Sequence, residues 1–234
     1  MQLSKMEHDA YEILRKNEFV VFRIKDICIL LKVNKTKAYN IVKALKKKKV
    51  IKTVKEGIFT FNDADEFAVA TAIHYPSYIS FWSALNYYGW SDQTPRKLFV
   101  ATTKYTMEIG SFKYVTLSKK RFFGYVQEGK ITIAEKEKAI IDSLLFPKYS
   151  GGMREVSECF KIAFSELDKK KLVDYALKAD SKAVIRRLGY LLNLSGDTKL
   201  AELKKRIGKG YEKLDPSLKR KNNLNKEWLL DVNW

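Results

Sequence analysis

The chain has 234 residues, 46% of them hydrophobic, and a formal net charge of +18. That hydrophobic content excludes wholesale disorder, and the length accommodates one to about three domains. No run approaches the ~18 apolar residues of a membrane span, and the N-terminus shows no apolar signal segment, so the expectation is a cytoplasmic protein without membrane contact.

Ser4 opens the first helix, with Glu7 three residues later as a capping box. Met6, Ala10, Ile13 and Leu14 form its buried stripe, and it ends near Asn17. Phe19 to Phe22 is a short extended run. Ile24, Ile27, Leu30 and Leu31 then recur at helical spacing on a short second helix. After the turn Lys32-Val33-Asn34, Asn34 can N-cap a third helix, from Lys35 to about Lys48. Ala38, Ile41, Val42 and Leu45 are its apolar stripe. Its opposite face carries Thr36, Tyr39, Asn40, Lys43 and Lys47, whose hydroxyl, amide and ammonium groups suit base edges and phosphates. Val50 to Val54 and Ile58 to Phe61 read as strands around Lys55-Glu56-Gly57, where glycine permits a tight hairpin turn.

Helix, turn, helix and hairpin in this order predict a winged helix-turn-helix over residues 1–62. Its expected partner is double-stranded operator DNA. The candidate contacts are Lys35, Thr36, Lys37, Tyr39, Asn40, Lys43 and Lys47 on the helix, with Lys52 and Lys55 on the hairpin. Residues 1–62 hold 15 Lys or Arg against 6 Asp or Glu, a net +9 and half the total in about a quarter of the chain. Such a field favours a polyanionic partner. Lysine-rich surfaces also serve solubility, so the reading rests on the ordered combination and not on charge.

Asn62 to Asp65 are turn formers and mark the expected domain boundary. Glu66 to Ile73 predicts a short helix, and Tyr78 to Tyr88 a second, dense in aromatics and stopped by a left-handed cap at Gly89. Tyr78, Phe81, Trp82, Tyr87 and Tyr88 read as core in preference to a base-stacking platform. Strands are expected at Lys97 to Thr102, Phe112 to Leu117 and Lys130 to Ile133, with turns at Gly110 and Gly129. Ala134 to Phe146 is a helix with Ala139, Ile140, Leu144 and Leu145 on its buried face, stopped by Pro147. Helices follow at about Arg154 to Phe164, Asp168 to Ala179, Lys182 to Leu192 and Lys199 to Ile207, then irregular chain. The fold class is therefore α+β. After the winged helix comes a domain over 66–234, mixed α/β over about 66–133 and mainly helical over about 134–234. Phe81, Trp82, Leu85, Leu144, Leu188 and Leu191 are its expected core.

Cys28 and Cys159 lie far apart on apolar helical faces and read as reduced core residues. With only His8 and His74 present there is no metal-site spacing, and neither metal nor cofactor is expected. Glu135, Glu137, Lys138 and Asp142 suggest the acid–lysine set of a metal-dependent nuclease, but such a site needs acids converging from different elements. Here they share one helix, where Lys138 and Asp142 form an i, i+4 ion pair. Gly151-Gly152 lacks the Gly-Lys-Ser/Thr of a P-loop. No enzymatic activity is expected. A nuclease and an adaptor without DNA binding are the alternatives.

Several segments together resemble the AbiEi-type antitoxin and transcriptional regulator family of defence systems, the type IV toxin–antitoxin class. They are the hairpin Gly57-Ile58-Phe59, Tyr75-Pro76-Ser77-Tyr78-Ile79-Ser80, Ser83-Ala84-Leu85 with Gly89, and Leu98-Phe99-Val100-Ala101. Ile131 to Asp142, Pro147, Gly151-Gly152 and Arg187-Leu188-Gly189-Tyr190-Leu191-Leu192 complete the pattern over nearly the whole chain. The resemblance implies a repressor of its own operon, acting through the winged helix. It also implies a C-terminal portion that counteracts a nucleotidyltransferase-like toxin; a regulator without a toxin is the alternative. Operators and toxins differ between members, so no base contact is carried over. Residues 199–226 hold ten Lys or Arg against three Asp or Glu. Lys199, Lys204, Lys205, Arg206 and Lys209 are the candidate contact to an acidic or nucleic-acid partner.

Overall fold

The computed structural model describes residues 2–196 and 201–234 and has an α+β fold. Two compact units divide it: residues 1–75 with 108–111, and residues 76–107 with 112–234. The expected boundary at Asn62 to Asp65 is instead the entry to a further helix of the first unit. Asp65 caps that helix by accepting from Ala68 N–H at 3.0 Å, and the division falls after Tyr75.

The first unit runs α1 (Lys5–Lys16), β1 (Val21–Phe22), α2 (Ile24–Leu31), α3 (Lys35–Lys47), β2 (Ile51–Lys55), β3 (Ile58–Phe61) and α4 (Glu66–Ile73). Glu7 accepts from Ser4 N–H at 2.9 Å, the reciprocal half of the expected capping box. Asn34 accepts from Lys37 N–H at 2.9 Å and starts α3. The strands form an antiparallel sheet in the order β1-β3-β2, with Val21 opposite Thr60 and Ile51 opposite Phe61. Gly57 turns the hairpin at φ +72°. Ala10, Leu14, Phe22, Ile27, Ala38 and Leu45 are among the side chains that close one core against Phe59 and Phe61.

The second unit begins with a correction. The aromatic stretch from Tyr78 is not one helix: Ser77–Ile79 is β4 and only Phe81–Tyr87 is α5. The switch occurs at Phe81, whose φ of +54° ends the strand. A bulky residue there costs about 1–3 kcal/mol, which the buried packing of its ring against Phe146 and Tyr149 offsets. β5 (Leu98–Thr102), β6 (Met107–Ile109, whose last two residues fall in the first unit), β7 (Phe112–Thr116), β8 (Tyr125–Glu128) and β9 (Ile131–Ala134) follow. Within this unit β4, β5, β7, β8 and β9 make a mixed sheet in the order β7-β5-β4-β9-β8. β4 pairs parallel with β9 and antiparallel with β5, and β5 runs parallel to β7. The short strands β6 and β8 were not expected.

The helices α6 (Lys136–Leu145), α7 (Met153–Ala163), α8 (Lys169–Lys178), α9 (Lys182–Leu194) and α10 (Ala201–Lys204) come next. The chain then adds β10 (Glu212–Lys213), β11 (Leu224–Asn225) and β12 (Leu230–Asp231), where irregular chain was expected. β12 is central, parallel to β10 and antiparallel to β11. α6 is the hub of this unit. It was expected to bury one face, yet eight successive residues, Glu137 to Leu144, are buried. A helix enclosed on every side must satisfy its polar groups internally. Glu137 accepts from Asp168 N–H at 2.9 Å, and Ser143 receives the Ser150 hydroxyl at 2.9 Å. Of the expected core, Tyr78, Phe81, Leu85, Leu144, Leu188 and Leu191 are buried and Trp82 and Tyr88 are half-buried, but Tyr87 is exposed, its hydroxyl donating to Glu128 at 2.7 Å. Cys159 is buried, Cys28 half-buried, and both are free thiols. No helix among the described residues is long and apolar enough to cross a membrane.

Candidate nucleic-acid interface

The geometry of α3 follows from its stripe. Burial of Ala38, Ile41, Val42 and Leu45 turns Thr36, Tyr39, Asn40, Lys43 and Lys47 outward together. All five are exposed, Tyr39 at 54%. Lys35 and Lys37 flank the start of the face, and Lys46 and Lys47 its end, all exposed. From Lys32 to Lys55 the chain carries ten lysines and no acidic residue. The face spans about 16 Å along the helix axis at 1.5 Å per residue.

Not all of these cations are equivalent. Lys52 is half-buried and its Nζ lies 3.9 Å from Glu66 Oε1. Lys55 is exposed at the β2–β3 turn. Lys48 points inward to Glu7 and to the Gln2 carbonyl, tying the end of α3 to the start of α1. Its hydrogen bond holds the Glu7 carboxyl below the usual range, as Arg15 does for Asp63. Arg15 also lies 3.9 Å over the Phe61 ring. These pairs were not foreseen, because partners 41 and 48 residues apart leave no local signal.

The expected basic patch of the second unit is divided. Lys204 is 2.6 Å from Glu227 and so is engaged within the unit. Lys205, Arg206 and Lys209 are exposed, while Lys199 lies outside the described residues. Two neighbouring arginines of α9, Arg186 and Arg187, are buried instead and hold the chain that carries the patch. Arg186 donates to the carbonyls of Ile207 and Lys209 at 2.9 and 3.0 Å. Arg187 donates to those of Leu214 and Leu144 at 2.9 and 2.7 Å. A Cβ on Gly189 would stand 2.1 Å from the Trp228 ring, so only glycine admits that ring against α9. The Arg-Leu-Gly segment is thus a clasp for the C-terminal strands.

The acid–lysine set does not converge. Asp142 and Lys138 are ion-paired with side chains 1% exposed. Asp142 Oδ2 accepts from the hydroxyls of Tyr78 and Ser80 at 3.0 and 2.8 Å, and Lys138 Nζ donates to the Tyr78 hydroxyl at 2.9 Å. This network ties α6 to β4, and burial pulls the Lys138 ammonium below its usual range despite Asp142. Glu135 and Glu137 are held elsewhere, both by Lys171 at 3.1 and 3.2 Å. Among the described residues no group of three or more His, Cys, Asp or Glu is placed to hold a metal ion.

The architecture has a precedent among solved structures. The chain is similar to the RV2827C protein from Mycobacterium tuberculosis, with a TM-score of 0.70 over 98% of this chain and 92% of that one. Identity is 12%, so the likeness is one of fold. No protein-family model and no curated protein matches the sequence.

Proposed function

We propose that the first unit is a winged helix-turn-helix and that the chain is a cytoplasmic DNA-binding transcriptional regulator. In this reading α3 enters the major groove and the β2–β3 hairpin is the wing. Asn40 and Tyr39 meet base edges, and Lys35, Lys37, Lys43, Lys47 and Lys55 meet phosphates. The observation that carries the reading is the outward face of α3: polar, aromatic and cationic groups at one helical spacing, with no acidic residue from Lys32 to Lys55. The element order α1-β1-α2-α3-β2-β3 supports it. The test is a gel shift with duplex DNA from upstream of the protein's own gene, with Mg²⁺ present. A shift with intact DNA is expected. Cleavage would favour the nuclease alternative, and no shift of any duplex at low salt would refute the proposal.

From the AbiEi resemblance we further infer that the second unit counteracts a nucleotidyltransferase-like toxin, with Lys205, Arg206 and Lys209 as the exposed part of its contact. Full-length protein should rescue growth from the product of a toxin gene beside its own. Changing those three residues to Glu should abolish rescue without lowering thermal stability. Without such a toxin, the regulator reading stands alone.

A further inference from the structure

The C-terminal end of α6, one face of α9 and the segment after β10 enclose a pocket of about 440 Å³ in the second unit. Small-molecule sites commonly span about 300–1,000 Å³. Leu145, Phe146, Pro147, Ala183 and Pro216 make apolar walls. Three polar side chains also line it: Arg187, Lys148 and Ser217. Ala183 and Arg187 are four residues apart on α9 and share a face.

Arg187 is 4% exposed. Its Nε, Nη1 and Nη2 donate to the carbonyls of Leu214, Leu144 and Lys213, the last at 3.4 Å. A guanidinium has five N–H groups in a fixed fork, so three bonds leave two. No described carboxylate forms an ion pair with Arg187 or with the exposed Lys148. Glu212 is matched by Arg186 at 3.7 Å. Asp215 accepts from Met153 N–H, from Ser217 N–H and from the Ser217 hydroxyl. Glu212 and Asp215 both act on Arg187, so with Arg186 included the local balance is three cations against two engaged carboxylates, beside mostly apolar walls.

We propose that this pocket binds a small organic monocarboxylate with an aromatic or branched aliphatic body. The carboxylate sits against the free edge of Arg187 and near Lys148, and the body packs on Leu145, Phe146 and Pro147. A single negative charge balances the pocket, a planar carboxylate matches the guanidinium fork, and the apolar walls reward a body that leaves water. A neutral ligand forfeits the charge match, and a phosphate dianion forfeits the apolar contact.

The full chain is titrated with 3-phenylpropanoate while amide chemical shifts and the thermal midpoint are followed. Inorganic phosphate and 3-phenylpropanol are the comparison probes. Saturable shifts at Lys148, Ala183 and Ser217, with a raised midpoint, are expected from the carboxylate. Ala183→Phe places a ring in the pocket beside Arg187 and should weaken binding at least about tenfold. Lys148→Glu changes an exposed side chain and should weaken it about threefold or more without altering the fold. The proposal is overturned if about 10 mM carboxylate gives no saturable shift. It is equally overturned if phosphate or the alcohol binds as tightly, or if Lys148→Glu leaves affinity unchanged.

Discussion

If α3 meets DNA as proposed, Lys47→Ala and Asn40→Ala should separate its phosphate contacts from its base contacts. Lys35, Lys37, Lys43, Lys46, Lys47 and Lys55 are exposed lysines of α3 and the hairpin with no ion pair to a described residue. If each neutralises one phosphate, log K should fall against log salt with a slope of about −5, at about −0.9 per phosphate. Lys52 adds little, because Glu66 already shares its charge. Removing Lys47 should make the slope shallower by about one and weaken every duplex alike. Asn40→Ala should leave the slope unchanged and cost about 1–3 kcal/mol on the preferred sequence only. Fluorescence anisotropy over a salt series, on one preferred and one scrambled duplex, measures both quantities. Each side chain is exposed, so unfolding curves should match the parent and exclude a folding defect. A slope near zero, or both variants binding both duplexes like the parent, would refute the assignment of this face.

Three further outcomes concern the frame that holds these faces. Gly189→Ala should destabilise the second unit by about 1–3 kcal/mol, because the Trp228 ring at 2.1 Å must move, and this outweighs the up to about 1 kcal/mol of helix propensity gained; urea unfolding with Trp fluorescence measures it, and a more stable variant contradicts the packing argument. Asp142→Asn should cost about 3–5 kcal/mol by leaving the Lys138 ammonium buried without its counter-charge, whereas replacing both by apolar residues should cost less; equal losses would mean the pair is not coupled. The folded carboxyls of Glu7 and Asp63 titrate below the usual range, so the unfolded chain takes up protons first as pH falls. Their stabilisation should be complete above about pH 5 and lost as pH drops through the lowered folded values; urea midpoints from neutral to acid pH check this, and Lys48→Met should flatten the acid loss.

Legibility in the sequence followed the range of the interactions. The first unit was readable almost residue by residue, since its helices announce themselves by caps and period. Ser4 with Glu7, Asn34 before Lys35 and Gly57 in the hairpin each act within three residues. The second unit was readable where a helix shows one apolar face, as in α7 and α9, and misread where long-range pairing decides. Tyr78 and Ile79 fit a helical aromatic pattern, yet pairing with β5 and β9 on both sides makes them a central strand. β6, β8 and the C-terminal strands are two to four residues long, too short for any period to register. The exposed face of α3 was legible for the same local reason as its buried stripe. The pocket beside Arg187 was not, because its walls come from segments about 30 to 40 residues apart joined only in three dimensions.

Where the positive charges reside matters more than their sum. A net charge of +18 invites one field over the whole chain, but several cations of the second unit are not on its surface. Lys138 lies inside with Asp142, while Arg186 and Arg187 are buried against backbone carbonyls. Lys204 and Lys171 are spent on neighbouring carboxylates. A buried guanidinium bound to carbonyls fixes the chain it holds and contributes little to attracting a distant anion, since its field is opposed by those dipoles and by Glu212 and Asp215. On α3 the arrangement is the reverse: apolar side chains alone fill the inner stripe, and the lysines of the opposite face are left to solvent. The same residue type therefore serves structure at Lys138 and an outward field on α3. An anionic partner should meet its strongest steering at α3, so charge reversal at Lys43 should slow association far more than reversal at Lys204.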